Sequence, residues 1–298
     1  MEFSETLAGV TPPLVTPFEG PNAETVDHDA LANVVDHVVS GGVAGVFPNG
    51  TTGECASLTA AEREAVVETT VANAGDRPVL AGIIDTALPD VVDHAERAAS
   101  AGADAAVVTP PYFHAENRAG GNLAFLERVA DESPLPVFVY DIPSCTGNPL
   151  AAADAVALAD HPNVVGMKDS SGEFTDFCRV LRNVPDDFVV LQGFDALLLP
   201  SLRMAADGGV NALVNAVPGA FDAMFRAAAA GDAARADRVH EAISELFDAC
   251  LDVGFAPATK AALVERGVLD HATVRPPLQA AEPGAVSEAL AGVLAVTE

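Results

Sequence analysis

Residues 163–172 read Asn-Val-Val-Gly-Met-Lys-Asp-Ser-Ser-Gly. The apolar run Asn163–Lys168 is closed by the turn signal Asp169–Gly172. A short continuous apolar run bounded in this way reads as a fully buried strand. It ends in one of only two lysines among 298 residues, the other being Lys260. Lysine is normally among the commonest residues. In a chain that has nearly abandoned it, a lysine at the mouth of a buried strand points to chemistry that arginine cannot perform. An amine can lose its proton and attack a carbonyl, whereas a guanidinium cannot.

Similar apolar runs recur on both sides of this one. The pattern predicts strands at 8–14, 43–47, 78–83, 104–108, 136–140, 163–168, 188–192 and 209–214, with helix-patterned segments between them. Thr59-Ala-Ala-Glu62 is a capping box that opens one of these helices. Gly41-Gly42 and Gly102 fall where helices should stop. Strands alternating with helices at this spacing predict an α/β fold, a (β/α)8 TIM barrel. The rival is a doubly wound sheet, which usually needs fewer strands; no Gly-x-Gly-x-x-Gly follows the first strand. Residues 1–225 are assigned to the barrel. Residues 226–298, helical by pattern and broken by Pro257 and Pro276-Pro277, form a small C-terminal helical extension packed on it.

The formal charge is −28, from 43 acidic and 15 basic residues. Such a surface repels nucleic-acid phosphates. Depleted lysine, abundant Asp, Ala and Val, and no Trp suggest adaptation to a salt-rich cytoplasm; high like charge is a trade associated with halophiles. The N-terminus carries Glu2 and Glu5 rather than a basic and apolar leader. No stretch approaches the roughly 20 apolar residues of a bilayer span. Cys55, Cys145, Cys178 and Cys250 are widely spread, with neither metal-ligand spacing nor a disulfide framework. The expectation is a cytoplasmic protein with no metal site, no nucleic-acid partner and no membrane partner.

In a barrel of this kind the active site lies at the C-terminal strand ends. Three groups collect there: Pro48–Glu54 (PNGTTGE), Thr109–Phe113 (TPPYF), and Tyr140-Asp-Ile-Pro143 beside Lys168. Both tyrosines of the chain, Tyr112 and Tyr140, fall on this rim. An unperturbed lysine has a pKa near 10.4, and apolar surroundings lower it. The free amine can then form a Schiff base with a ketone, with a neighbouring phenol moving the protons. Backbone N–H groups and two hydroxyls of the Gly50–Gly53 loop suit a carboxylate. The competing structural readings are a barrel-mouth salt bridge between Lys168 and Asp169, and a plain tight turn for the loop.

Gly50-Thr-Thr-Gly-Glu54, Tyr140-Asp-Ile-Pro143 and Gly166-Met-Lys-Asp-Ser-Ser-Gly172 resemble the three signature blocks of the dihydrodipicolinate synthase and N-acetylneuraminate lyase superfamily. The resemblance spans nearly the whole chain, from Gly9–Phe18 to Val274–Leu278. It implies a (β/α)8 class I aldolase that holds pyruvate, a 2-oxo acid, as a Schiff base without any further cofactor. Carried over by motif, Lys168 is the Schiff-base lysine and Tyr140 the proton-shuttling phenol. Thr51 and Tyr112 form the relay behind it, and Thr52 holds the pyruvate carboxylate. Asn211 falls where the family has an apolar residue lending a backbone carbonyl near pyruvate. The second tyrosine commonly reaches across a dimer interface in the family, which implies a homo-oligomer, a dimer of dimers.

One departure directs the choice of substrate. Dihydrodipicolinate synthases carry an arginine two positions after the proline of the tyrosine block, where it binds the carboxylate of aspartate semialdehyde. This chain has Cys145 there. Loss of a charge-assisted pair should cost several kcal/mol. Asp169-Ser-Ser also differs from the Glu-Ala-Ser common after the lysine in those synthases. The expectation is therefore an aldolase cleaving 2-keto-3-deoxygluconate or its 6-phosphate, as in Entner–Doudoroff-type sugar breakdown. Thr146, Ser170 or Ser171 would meet the sugar hydroxyls, and His114 and Arg118 would be the rim cations for a phosphate. The alternatives are 4-hydroxy-tetrahydrodipicolinate synthase and a catalytically silent barrel.

Overall fold

The computed structural model describes residues 3–114 and 120–297. A six-stranded, all-parallel sheet runs in sequence order: β1 (Leu80–Gly82), β2 (Ala105–Val108), β3 (Val137–Asp141), β4 (Val164–Asp169), β5 (Val189–Gln192) and β6 (Gly208–Gly209). These strands are short and buried almost throughout, as continuous apolar runs covered on both faces must be.

The two N-terminal staves pair through isolated parallel bridges: Val10 with Gly209, Pro13 with Phe47, and Val46 with Val79. Backbone bonds continue the ladder around the ring. Thr11 N donates to Gly209 O at 2.8 Å, Leu14 N to Phe47 O at 2.9 Å, and Leu80 N to Val46 O at 2.9 Å. The predicted strands at 8–14 and 43–47 thus occupy their staves but shrink to single bridges. Pro12 and Pro13 have no N–H to donate, which interrupts the ladder where a strand would otherwise extend. With these bridges the sheet closes on itself as a (β/α)8 barrel.

Around the sheet run α1 (Phe3–Thr6), α2 (His28–Ser40), α3 (Ala60–Asn73), α4 (Leu88–Ser100) and α5 (Gly121–Glu132). They are followed by α6 (Pro143–Thr146), α7 (Ala152–Leu158), α8 (Phe174–Leu181), α9 (Leu198–Arg203) and α10 (Pro218–Ala229). The capping box forms as expected: Thr59 accepts from Glu62 N, and the Glu62 carboxylate accepts from Thr59 N. Helix α2 stops at Gly41, and Gly102, at φ +94°, turns the chain out of α4. One large apolar cluster fills the space between helices and sheet. A smaller one, including Phe47, Phe138, Tyr140 and Leu191, fills the barrel interior.

Three further helices, α11 (Ala233–Val253), α12 (Phe255–Glu265) and α13 (Ser287–Thr297), complete the chain. Helix α11 packs along α10 and α13, and its apolar stripe from Ala236 to Cys250 is buried. The break between α11 and α12 falls at Gly254, whose φ of +93° suits glycine. No helix among the described residues is long and apolar enough to cross a membrane.

Candidate active site

Lys168 is the fifth residue of β4, and Tyr140 is its register partner on β3. Alternation along the strand sends Lys168 and Asp169 to opposite faces. Asp169 turns back on its own loop, accepting Ser171 N at 2.7 Å, while Lys168 enters the barrel mouth. The salt bridge between them, the competing reading of Lys168, does not form. Lys168 Nζ instead lies 4.0 Å from the centroid of the Tyr140 ring and 5.1 Å from that of Phe47.

Lys168 is only 4% exposed. Burial pulls its pKa down to about 7, with Asp195 opposing the shift. The amine is therefore substantially uncharged at neutral pH. Room for it is made by Gly193, where an added Cβ would lie 2.0 Å from Ser170 Oγ and 2.9 Å from Lys168 Cε.

Tyr140 is buried, and burial pushes its phenol well above the usual range. Its hydroxyl is 3.4 Å from Thr51 Oγ1. Thr51 belongs to a tight turn in which Gly53 N bonds Gly50 O and Glu54 N bonds Thr51 O, each at 3.1 Å. The turn packs closely on the barrel: a Cβ on Gly82 would sit 2.0 Å from Asn49 O.

Lys168, Tyr140, Thr51 and Thr52 line one cavity of about 270 Å³. Ser144, Cys145, Ser170 and Asp195 add polar groups to it. Phe247, Phe255 and Leu278 of the C-terminal extension supply an apolar wall. Phe247, Phe255 and Asp195 escaped the sequence reading, and Leu278 entered it only as the end of the family resemblance. Asp195 follows the strand predicted at 188–192, so the strand-end rule could have found it. It is 1% exposed, burial raises its pKa to about 6, and its Oδ1 accepts Leu213 N at 3.0 Å.

Other expected residues fall elsewhere. Tyr112 lies outside the cavity of its own chain, its hydroxyl donating to Asp85 Oδ1 at 3.3 Å. Asn211 is fully buried against Gly209, while its neighbours Val210 and Ala212 line the cavity. Thr146 spends its hydroxyl on Ile142 O and Asn148 O, and Ser171 Oγ accepts from Glu173 N, so of the three proposed donors only Ser170 faces the cavity. His114 is exposed, and Arg118 lies outside the described residues.

The dihydrodipicolinate synthetase family model matches residues 6–291. A 4-hydroxy-tetrahydrodipicolinate synthase from Methanospirillum hungatei is 37% identical over 243 residues, 81% of this chain and 83% of its own. One from Natronomonas pharaonis is 34% identical over 281 residues, 94% of each chain. Among solved structures, the Escherichia coli K12 prophage protein YagE, of the dihydrodipicolinic acid synthase family and in complex with pyruvate, superposes with a TM-score of 0.90. It is 28% identical, covering 97% of this chain and 98% of its own.

These relatives overturn the expectation of a 2-keto-3-deoxygluconate aldolase, since they carry the name of the synthase. That expectation rested on Cys145 and on Asp169-Ser-Ser, and the first carries less weight than it was given. Cys145 is exposed at the cavity rim. A charge pair in such a solvated position is worth about 0–1 kcal/mol, not the several kcal/mol of a desolvated one. Its absence does not exclude an acceptor bearing a carboxylate. The chain belongs to the dihydrodipicolinate synthetase family and is a pyruvate-dependent carbon–carbon lyase.

Proposed function

We propose that the chain is a 4-hydroxy-tetrahydrodipicolinate synthase, condensing pyruvate with aspartate semialdehyde through a Schiff base on Lys168. The supporting observation is the placement of a buried amine, its pKa lowered to about 7, against the Tyr140 ring, within one cavity with the Thr51–Thr52 loop. The amine attacks the keto carbon of pyruvate, and loss of water leaves an imine. Removal of a methyl proton gives an enamine, whose carbon attacks the aldehyde. The acceptor's amino group then displaces the Lys168 amine from the former keto carbon, closing the ring and freeing the lysine. Tyr140 moves protons at the carbinolamine and at the new alkoxide, with Thr51 holding its hydroxyl. Thr52 receives the pyruvate carboxylate, and Val210 and Ala212, on either side of Asn211, line the same cavity. The assignment of the acceptor is supported by the relatives named above.

The protein is further read as a homo-oligomer. Tyr112 sits outside its own cavity, and the adjacent Phe113 is 90% exposed. A second copy covering Phe113 would bring Tyr112 to the relay at the interface.

Two measurements test this reading. Borohydride reduction with pyruvate should place one reduced pyruvate on the peptide containing Lys168; labelling at Lys260 alone, or nowhere, removes the mechanism. A coupled assay should show condensation with aspartate semialdehyde, and inactivity toward it at saturating pyruvate rejects the acceptor.

A further inference from the structure

Lys260 is as deeply buried as Lys168, and the chemistry above does not use it. It lies on α12, with Nζ 2.5 Å from Glu54 Oε1 and donating to Thr273 O at 2.8 Å. Glu54 Oε2 accepts Arg275 N at 2.9 Å. Lys260 and Arg275 both lie on the Phe18 ring, 4.2 and 4.5 Å from its centroid. The Arg275 guanidinium grips Glu62, the capping-box residue of α3, at 2.6 and 3.0 Å, and also donates to Ser57 O.

A buried ion pair is an expensive way to fasten a helix. Each ion loses several kcal/mol of hydration, and well-packed apolar residues often serve stability better. Burial accordingly lowers the Lys260 pKa to about 8, against the pull of Glu54. What the pair supplies is direction. Glu54 has a left-handed backbone, φ +56°, which side chains other than those of Gly, Asn and Asp seldom adopt. Its N–H is bonded to Thr51 O, so the conformation that aims Glu54 out of the barrel also turns Thr51 and Thr52 into the cavity. One turn before Lys260, residues 255–257 of α12 form part of the cavity wall.

We propose that Lys260 is a positioning residue. Through Glu54 it sets the Thr51–Thr52 loop against Lys168 and Tyr140, and it ties that loop to the α12 wall so that the two sides of the cavity keep one spacing. The proposal rests on the Schiff-base reading, and the test separates the two. Borohydride trapping of pyruvate on the wild-type protein reports on that reading alone. Lys260→Met removes the charge at similar volume. Glu54→Asp keeps the charge but is too short to reach both Lys260 and Arg275 N. Both variants, shown to be folded by circular dichroism, should still yield the Lys168 adduct at saturating pyruvate. Their KM for pyruvate should rise about tenfold, with kcat/KM falling toward the roughly 10²-fold that an ångström of misplacement costs. The pH midpoint of kcat/KM should stay where Lys168 sets it. If Lys260→Met does not fold, Glu54→Asp decides alone. No adduct on the wild type overturns the reading and the proposal together. An adduct on the wild type, with a folded variant that keeps wild-type KM and loses only thermal stability, overturns the proposal and leaves the reading standing.

Discussion

Lys168 was legible as a residue because the chain leaves so few lysines to choose between. Its consequence for pH can be stated with a sign. The amine is depressed to about 7 in the folded protein, against about 10.4 in an unfolded chain. Attack on pyruvate needs the neutral form, so kcat/KM should rise with pH and level off above a midpoint near 7. The same depression costs stability in full below pH 7, and the cost fades as pH climbs toward the unfolded value. Lys168→Met should therefore abolish activity yet melt at a higher temperature than wild type, by more at pH 6 than at pH 9. At pH 6 the gain should be on the order of a few kcal/mol. Tyr140→Phe should bind pyruvate nearly normally and lose roughly 10²–10⁴-fold in turnover, the usual worth of a positioned proton donor. Steady-state kinetics with a trapped-adduct titration separates the two effects. Asp195 was less legible, because an aspartate after a strand is common and only its burial beside the amine marks it out.

At the scale of elements, five of the six regular staves were read within a residue or two from their apolar runs. The run at 209–214 was not, since the strand ends at Gly209 and Ala212–Asn215 winds into a 3-10 turn. The first two were not, because prolines turned predicted strands into bridges that only the closed ring makes sense of. Glycines were harder still. Gly193 offers no signal in sequence, yet its missing side chain is what admits both Ser170 and Lys168. Gly193→Ala should lower kcat/KM by about 10²-fold through displacement of the amine. The fall in melting temperature should reflect a loss of about 1–3 kcal/mol, the usual cost of overpacking. Kinetics and a thermal melt of the same sample check both. Helix caps, by contrast, depend on neighbours in sequence and were fully readable at Thr59–Glu62.

For the molecule as a whole, charge dominates. We propose salt adaptation from the net charge of −28. At 0.01 M salt the Debye length is about 30 Å, so acidic groups repel across much of the protein; at 1 M it is about 3 Å. Melting temperature should rise substantially between dilute buffer and molar potassium chloride, and equal melts would contradict the proposal. The apolar cavity wall contributed by α11 and α12 was invisible to motif reading. Nothing local in Phe247 or Phe255 says that the extension folds back over the strand ends.

The seam that closes the ring also has a bearing on how the chain is made. Val15 N reaches Asn215 Oδ1 at 3.3 Å, and Asn215 Nδ2 reaches Pro13 O at 2.9 Å, across 200 and 202 positions of chain. A growing polypeptide cannot make these contacts until most of it has left the ribosome. Until then the first staves wait with an open edge, and the loop that must close is long. Contacts this distant in sequence are slow to form, so the lysine and its tyrosine acquire their dry surroundings only near the end of synthesis. A nascent chain truncated before residue 209 should remain unreactive toward pyruvate even though Lys168 is already present.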